Sequence, residues 1–220
     1  MPTLRDSLDN LMDELRTRIA AGQTNSSADG LAGPRLLVGL GNPGPEYAAT
    51  RHNAGFLAIQ ALAGELGGSY WKVIGGAEAC ECRYLGSQVV LARPQRFMNL
   101  SGPPVKTLLK HYGLELDDLL VIHDELDLPQ GVLRLKSGGG HAGHKGIRSI
   151  SEAVGEGYAR LRIGIGRPPG RMPADRFVLQ QLTGESLEEL KATAGQAASI
   201  ALACLETGVR AAMNRYNGEA

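Results

Sequence analysis

The sequence predicts an α/β fold: a three-layer sandwich with a mixed, partly parallel sheet and helices on both faces. Three observations lead there. Short apolar runs such as Leu36–Leu40 and Leu119–Ile122 alternate with stretches of helical periodicity. Glycine-rich turns separate strands from the helices that follow. Two alternating runs around Gly86-Ser87 read as a hairpin, so the sheet is not wholly parallel. The chain has 220 residues, of which 43% are apolar and 21% charged. That is enough apolar material for a core and excludes wholesale disorder. No apolar run approaches the roughly 20 residues of a membrane helix.

The elements follow in chain order. Leu4, Leu8, Leu11, Met12, Leu15 and Ile19 fall at helical spacing, which predicts an amphipathic helix over residues 1–20, with Thr3 and Asp6 as its capping box. Its acids speak against a transit peptide, and it has no signal-peptide core. Residues 21–34, AGQTNSSADGLAGP, read as a flexible linker. The division expected is thus an N-terminal helix and linker over 1–34 and an α/β domain over 35–220.

In that domain Leu36–Leu40 is a buried-type strand and Ala54–Leu66 a helix. Ala79–Leu85 and Gln88–Ala92 form the hairpin. Ser101–Tyr112 is helical, with Pro103-Pro104 in the first turn, where a missing N–H costs little. Leu119–Ile122 and Val132–Lys136 are strands. The loop Ser137–Gly143 opens a helix around Ile147–Val154, and Leu161–Ile165 is the last strand. Ser186 and Glu189 suggest a capping box for a helix to about Leu205, and Val209–Tyr216 is a further helical piece.

Lys plus Arg number 23 and Asp plus Glu 23, so bulk charge does not hold this chain to nucleic acid or membrane. The charge is uneven, however. Residues 131–171 carry eight Lys or Arg against two acids, beside the glycine loop and two histidines, which suits an anion-binding surface. The three cysteines, Cys80, Cys82 and Cys204, cannot build a disulfide framework and fit a reducing compartment.

Several motifs compete for the chemistry. Gly39-Leu40-Gly41-Asn42-Pro43-Gly44 matches G-x-G-x-x-G after a strand. A dinucleotide site needs that pattern to open a helix and an acid about 20 residues on, at the end of the next strand. Pro43 removes a donor, and Glu65 lies in a helical stretch, so the loop reads instead as a scaffold for Asn42. His52 precedes a helix, and His123-Asp124-Glu125 follows a buried strand, where α/β sheets present site residues. An Asp there could hold His52 in one tautomer and support its protonated form. Asn99 is polar amid apolar neighbours and suits a carbonyl or a water. A metal could draw on His141, His144, His123 and Asp124, but H-x-x-H on a glycine loop lacks the helical geometry of a zinc motif. No G-x-S-x-G indicates a serine hydrolase.

Five segments together resemble a known family. Val38–Gly55 (VGLGNPGPEYAATRHNAG), Phe97–Gly102 (FMNLSG), His123–Pro129 (HDELDLP), Gly138–Ile147 (GGGHAGHKGI) and Arg160–Gly166 (RLRIGIG) are similar, in order and spacing, to the signatures of bacterial-type peptidyl-tRNA hydrolases. The resemblance spans residues 35–217. It implies hydrolysis of the ester that joins a peptide to tRNA, without metal or other cofactor, by a cytoplasmic monomer whose partner is peptidyl-tRNA and not a membrane. By motif position it implies His52 as catalytic base, Asp124 as its supporting carboxylate and Asn42 as the residue that senses a blocked peptidyl amide. Tyr47, Phe97 and Asn99 fall on substrate-contact positions, and Lys136 and Arg162 on those that grip a tRNA phosphate.

One residue departs from the pattern. The family's Gly-His-Asn-Gly reads Gly143-His144-Lys145-Gly146 here. An amide donates and accepts, whereas an ammonium only donates and carries charge. Lys145 is therefore expected to contact a phosphate or carbonyl oxygen. The alternative from another class is a non-hydrolytic, splicing-factor-like RNA-binding protein on the same fold. A third reading, a metal hydrolase of another ester, would be sensitive to a chelator.

Overall fold

The computed structural model describes residues 31–218. The amphipathic helix expected over 1–20 and most of the linker lie outside them. Residues 31–34 rest on the end of a long helix, with the Ala32 N–H donating to the Leu205 carbonyl at 3.2 Å.

Seven strands form one sheet, in the order β2-β3-β4-β1-β5-β7-β6. They are β1 (Leu36–Gly39), β2 (Lys72–Ile74), β3 (Ala77–Tyr84), β4 (Ser87–Pro94), β5 (Leu119–Glu125), β6 (Leu133–Ser137) and β7 (Ala159–Gly164). β4, β1, β5 and β7 run parallel, while β2, β3 and β6 pair antiparallel at the edges. The helices are α1 (Ala54–Glu65), α2 (Gly102–Tyr112), α3 (Lys145–Val154), α4 (Ala174–Val178), α5 (Gly184–Thr207) and α6 (Val209–Tyr216).

Alternation along the strands builds the two cores. Leu36, Val38, Val90, Ala92 and Val121 pack with Val105 and Leu108 of α2 and Ile147 and Ile150 of α3. The opposite face is covered by α1 and α5, which also pack on each other. This is the expected mixed α/β sandwich. Among the described residues no helix is long and apolar enough to cross a membrane.

Three local expectations change. The hairpin turns at Leu85-Gly86, whose φ angles of 48° and 79° suit a two-residue turn joining right-twisted strands. Both strands run longer than expected because the register pairs Tyr84 with Ser87 and Ala77 with Pro94. The capping box Ser186/Glu189 does not form. α5 starts earlier, at Gly184, because the Leu182 N–H bonds to the Ala49 carbonyl at 2.7 Å and fixes the chain's entry. Glu189 accepts instead from Gln130. β2 and α4, three and five residues long, carry too little periodicity to be anticipated.

The topology places the site. From β1 the chain crosses one way through α1, and from β4 it returns through α2 to β5 on β1's other side. The crevice beyond the carboxyl ends of such strands, where the crossing direction reverses, is the usual site in open α/β sheets.

Candidate active site

The loop after β1 carries Asn42. It lies tightly against the start of α1: a Cβ at Gly39 would come 2.1 Å from the Gly55 carbonyl oxygen, and one at Gly55 2.3 Å from that of Ile122. Gly39 of the G-x-G motif therefore serves backbone packing and Gly41 makes room for the Phe56 ring, and α1 opens only at Ala54. Asn42 and Asn53 exchange hydrogen bonds: the Asn42 N–H donates to Asn53 Oδ1 at 2.9 Å, and Asn53 Nδ2 to the Asn42 carbonyl at 3.0 Å. Asn42 Oδ1 accepts from the Met98 N–H at 2.8 Å. Only an oxygen can accept there, which fixes the amide's orientation and leaves Nδ2 as the donor available to a ligand.

β5 is buried along its whole length, yet its last three residues are His123, Asp124 and Glu125. Asp124 is met by two imidazoles. His52, on a short 3₁₀ turn before α1, places Nδ1 2.9 Å from Oδ1 and 3.0 Å from Oδ2. His144 places Nε2 3.0 Å from Oδ1.

The tautomers follow from what surrounds each ring. His144 is the N-cap of α3, and its Nδ1 accepts from the N–H groups of Gly146 and Ile147 at 3.1 and 3.3 Å. Nδ1 is therefore unprotonated, the proton of the neutral ring sits on Nε2, and that N–H donates to Asp124. His52 donates from Nδ1, which leaves Nε2 as its basic atom. His123 bonds the Asp124 carbonyl through Nδ1 at 2.7 Å, and its buried Nε2 has no partner.

Burial disfavours a charged His52, but the field and hydrogen bond of Asp124 outweigh it. The imidazole lies above its ordinary pKa, with Lys145 opposing protonation. Burial would raise Asp124, yet the two histidines hold its carboxyl well below the usual carboxylate range. His123, fully buried and beside His144, is pushed down to about 3.

His52, Asp124 and His144 also form the one group, among the described residues, whose donor atoms lie close enough to hold a metal, within 4.8 Å. An ion there would need the His144 Nε2 lone pair. That moves the ring proton to Nδ1, which already accepts the two cap hydrogen bonds. The chemistry of the donor set thus favours a hydrogen-bonded cluster over a coordination site. His141, also weighed as a ligand, instead accepts the Gly143 N–H.

Asn42, Tyr47, His52, Phe97, Asn99, Asp124 and Lys145 all line one cleft of about 610 Å³. Phe97 is 59% exposed at its rim and meets Tyr47 edge-on, with ring centroids 6.5 Å apart. One wall is α4, which sequence reasoning missed. Arg51 ties it to the His52 turn by stacking 4.1 Å over the Phe177 ring. In sequence His144 reads as a metal ligand, as part of an anion-binding surface, or as one position of a family motif. Its cap and its bond to Asp124 leave no signal in the linear pattern.

Lys136 and Arg162 do not line this cleft. They stand on the β6–β7 ladder, where Arg134 faces Arg162 and Lys136 faces Arg160. Residues directly opposite share a face, and like charges so placed repel. Arg160 is spent on structure, donating to the carbonyls of Gly138, Gly139 and Gly140 and so shaping the glycine loop. Arg162 reaches Glu125, a cleft residue, at 3.9 Å.

Comparisons with known proteins identify the family. The family model described as peptidyl-tRNA hydrolase matches residues 36–220. The chain is 48% identical over 186 residues to a peptidyl-tRNA hydrolase of Frankia casuarinae, covering 84% of this chain and 94% of that protein. It is 44% identical to one of Streptomyces avermitilis over 203 residues, 89% of this chain and 99% of that one. The crystal structure of peptidyl-tRNA hydrolase from Acinetobacter baumannii superposes with a TM-score of 0.78 at 38% identity, covering 87% of this chain and 98% of that one. The chain belongs to the peptidyl-tRNA hydrolase family.

Proposed function

We propose that this chain hydrolyses the ester between peptide and tRNA in peptidyl-tRNA, with His52 as general base. The observation that carries the reading is the buried His52–Asp124 pair on the wall of an open cleft. Neutral His52 takes a proton from water at Nε2 as the water oxygen bonds the ester carbonyl carbon. The carbonyl π electrons move to oxygen and form a tetrahedral oxyanion. Its collapse breaks the bond to the ribose 3′-oxygen, which leaves with the proton from the imidazolium. Asp124 orients the ring and favours its cationic form. Such a base typically contributes about 10²–10⁴-fold.

Asn42 Nδ2 is the donor that meets the peptidyl amide, a carbonyl the free aminoacyl ester lacks. Tyr47, Phe97 and Asn99 cradle the chain near the ester. Lys136 and Arg162 hold an RNA phosphate: their opposed like-charge ladder is costly until an anion fills it. With peptidyl-tRNA as partner we place the reaction in the cytoplasm, with the protein as a monomer. A non-hydrolytic RNA-binding role gives the assembled base pair no task.

The test is peptide release from purified peptidyl-tRNA by the wild type and by His52→Ala, each with and without chelator. Turnover by the wild type that survives chelation and falls about 10²-fold or more in the variant, with tRNA binding retained, is the outcome expected. Near-normal turnover by His52→Ala, or loss on chelation restored by zinc, overturns it.

A further inference from the structure

We infer that Lys145 is a catalytic residue of this chain, an ammonium that faces the oxyanion formed when water attacks the ester. The inference rests on the hydrolytic reading above and adds to it the group that stabilises the charge.

Lys145 opens α3, immediately after the cap residue His144. Because His144 is bonded to Asp124, the backbone under Lys145 is anchored to the same carboxylate that orients His52. Among the described residues that line the cleft, Lys145 is the one Lys or Arg, set against Asp124, Glu125 and Asp175. Among the described residues its ammonium makes no ion pair, so its charge is not already neutralised. It is close enough to His52 to oppose protonation of that ring.

The alternative duty, gripping RNA phosphate, is served elsewhere. Arg134, Lys136 and Arg162 stand together on β6 and β7, outside the cleft. Lys145 shares its cavity with the basic nitrogen. An oxyanion appears there at each turnover, and besides the imidazolium formed on His52, Lys145 is the one side-chain ammonium or guanidinium among the described residues that line the cleft. Peptide-backbone and amide donors present charge fractions, whereas an ammonium supplies a whole one. The electron balance is unchanged. The carbonyl π pair becomes the oxyanion lone pair, Lys145 keeps its proton, and the pair re-forms the C=O bond when the 3′-oxygen leaves.

The same charge sets the pH response. The groups that act on or touch His52 are Asp124 from β5 and His144 and Lys145 from the start of α3, while Glu125 and Asp175 line the same cleft. Asp124 favours the imidazolium and Lys145 opposes it. Removing Lys145 therefore moves the acid limb of the rate profile to higher pH.

The experiment compares Lys145→Met, which keeps the stem without charge, Lys145→Asn and Lys145→Arg at two salt concentrations and across pH, on purified peptidyl-tRNA. Lys145 is exposed, and thermal midpoints of the variants confirm folding. The expected result is a kcat about 10²-fold lower in Lys145→Met, of the size lost with an oxyanion donor, with KM little changed. The acid limb shifts upward, and Lys145→Arg recovers most of the rate. Unchanged kcat with a raised KM and a salt slope flatter by about one overturns the inference in favour of a phosphate contact. Unchanged kcat, KM and pH profile overturns it in favour of a solvated lysine. Failure of the hydrolytic reading is distinct: then the wild type releases no peptide, or His52→Ala remains active.

Discussion

The cluster around Asp124 and the ladder of β6–β7 put charge to opposite uses. In the cluster Asp124 is 2% exposed and touches two imidazoles within 3.0 Å. The imidazoles hold the Asp124 carboxyl low and the carboxylate lifts His52, because little water lies between them. On the ladder Arg134, Lys136 and Arg162 are half-buried and share a face, where neighbouring like charges repel. Salt screens such a surface but hardly reaches a buried pair. In the function proposed above, the first arrangement sets a rate and its pH dependence, and the second sets affinity and its salt dependence.

The contrast breaks most sharply at Asp124. Asp124→Asn keeps the shape and removes the charge that lifts His52. Turnover is expected to fall by about 10²-fold or more. Because the carboxylate raises the His52 pKa, its loss lowers that pKa, and the acid limb moves to lower pH even as the plateau drops. A pH–rate profile that keeps both its height and its limb would make Asp124 structural.

On the ladder, Lys136→Ala and Arg162→Ala are expected to raise KM for full-length peptidyl-tRNA while leaving a short aminoacyl-nucleotide ester nearly unaffected. Each lost phosphate contact flattens the log–log salt dependence by about one. Equal losses on both substrates would show that the pair supports the fold. Arg160 is the internal control. It is 3% exposed and holds the glycine loop, so Arg160→Ala should lower the thermal midpoint, a change the two neighbouring variants should not make.

His144 joins the cluster to α3. His144→Ala removes a cap and one of the two donors on Asp124, and about 1 kcal/mol of stability should go with the cap. Its rate loss should be smaller than that of Asp124→Asn, since His52 keeps its own bond. Chemical denaturation and kinetics on one preparation separate the two effects.

The last effect expected bears on stability against pH rather than on rate, and concerns His123. Its pKa is ordinary, 6.5, in the unfolded chain and about 3 when folded. The unfolded state therefore binds more protons between these values. Stability is lost as pH falls from 6.5 towards 3 and is unaffected above that window. His123→Leu should flatten this acid loss, measured as the midpoint of denaturant unfolding at pH 7 and pH 4.5. An unchanged slope would mean that the ring protonates in the folded state.

By itself the sequence determined the order of the longer strands and helices, though not β2 or α4, because apolar periodicity and Pro/Gly punctuation are local. α2 begins with Pro103 and Pro104 near its N-terminus and ends at Gly113 with φ 62°, as local chemistry requires. The family resemblance also named His52, Asp124, Asn42, Tyr47, Phe97, Asn99 and Lys145, which all line one cleft, and Lys136 and Arg162, which do not. Tertiary structure alone decided what those groups can do. Asn42 is oriented by the Met98 backbone 56 residues away, and His52 by an Asp 72 residues away. Arg160, alike in sequence to Arg162, is committed to three carbonyls. The proton on His144 is placed by two backbone N–H groups, and it turns an apparent metal ligand into a donor. Such assignments depend on which polar partner occupies the next few ångströms, a fact that exists only once distant segments have packed.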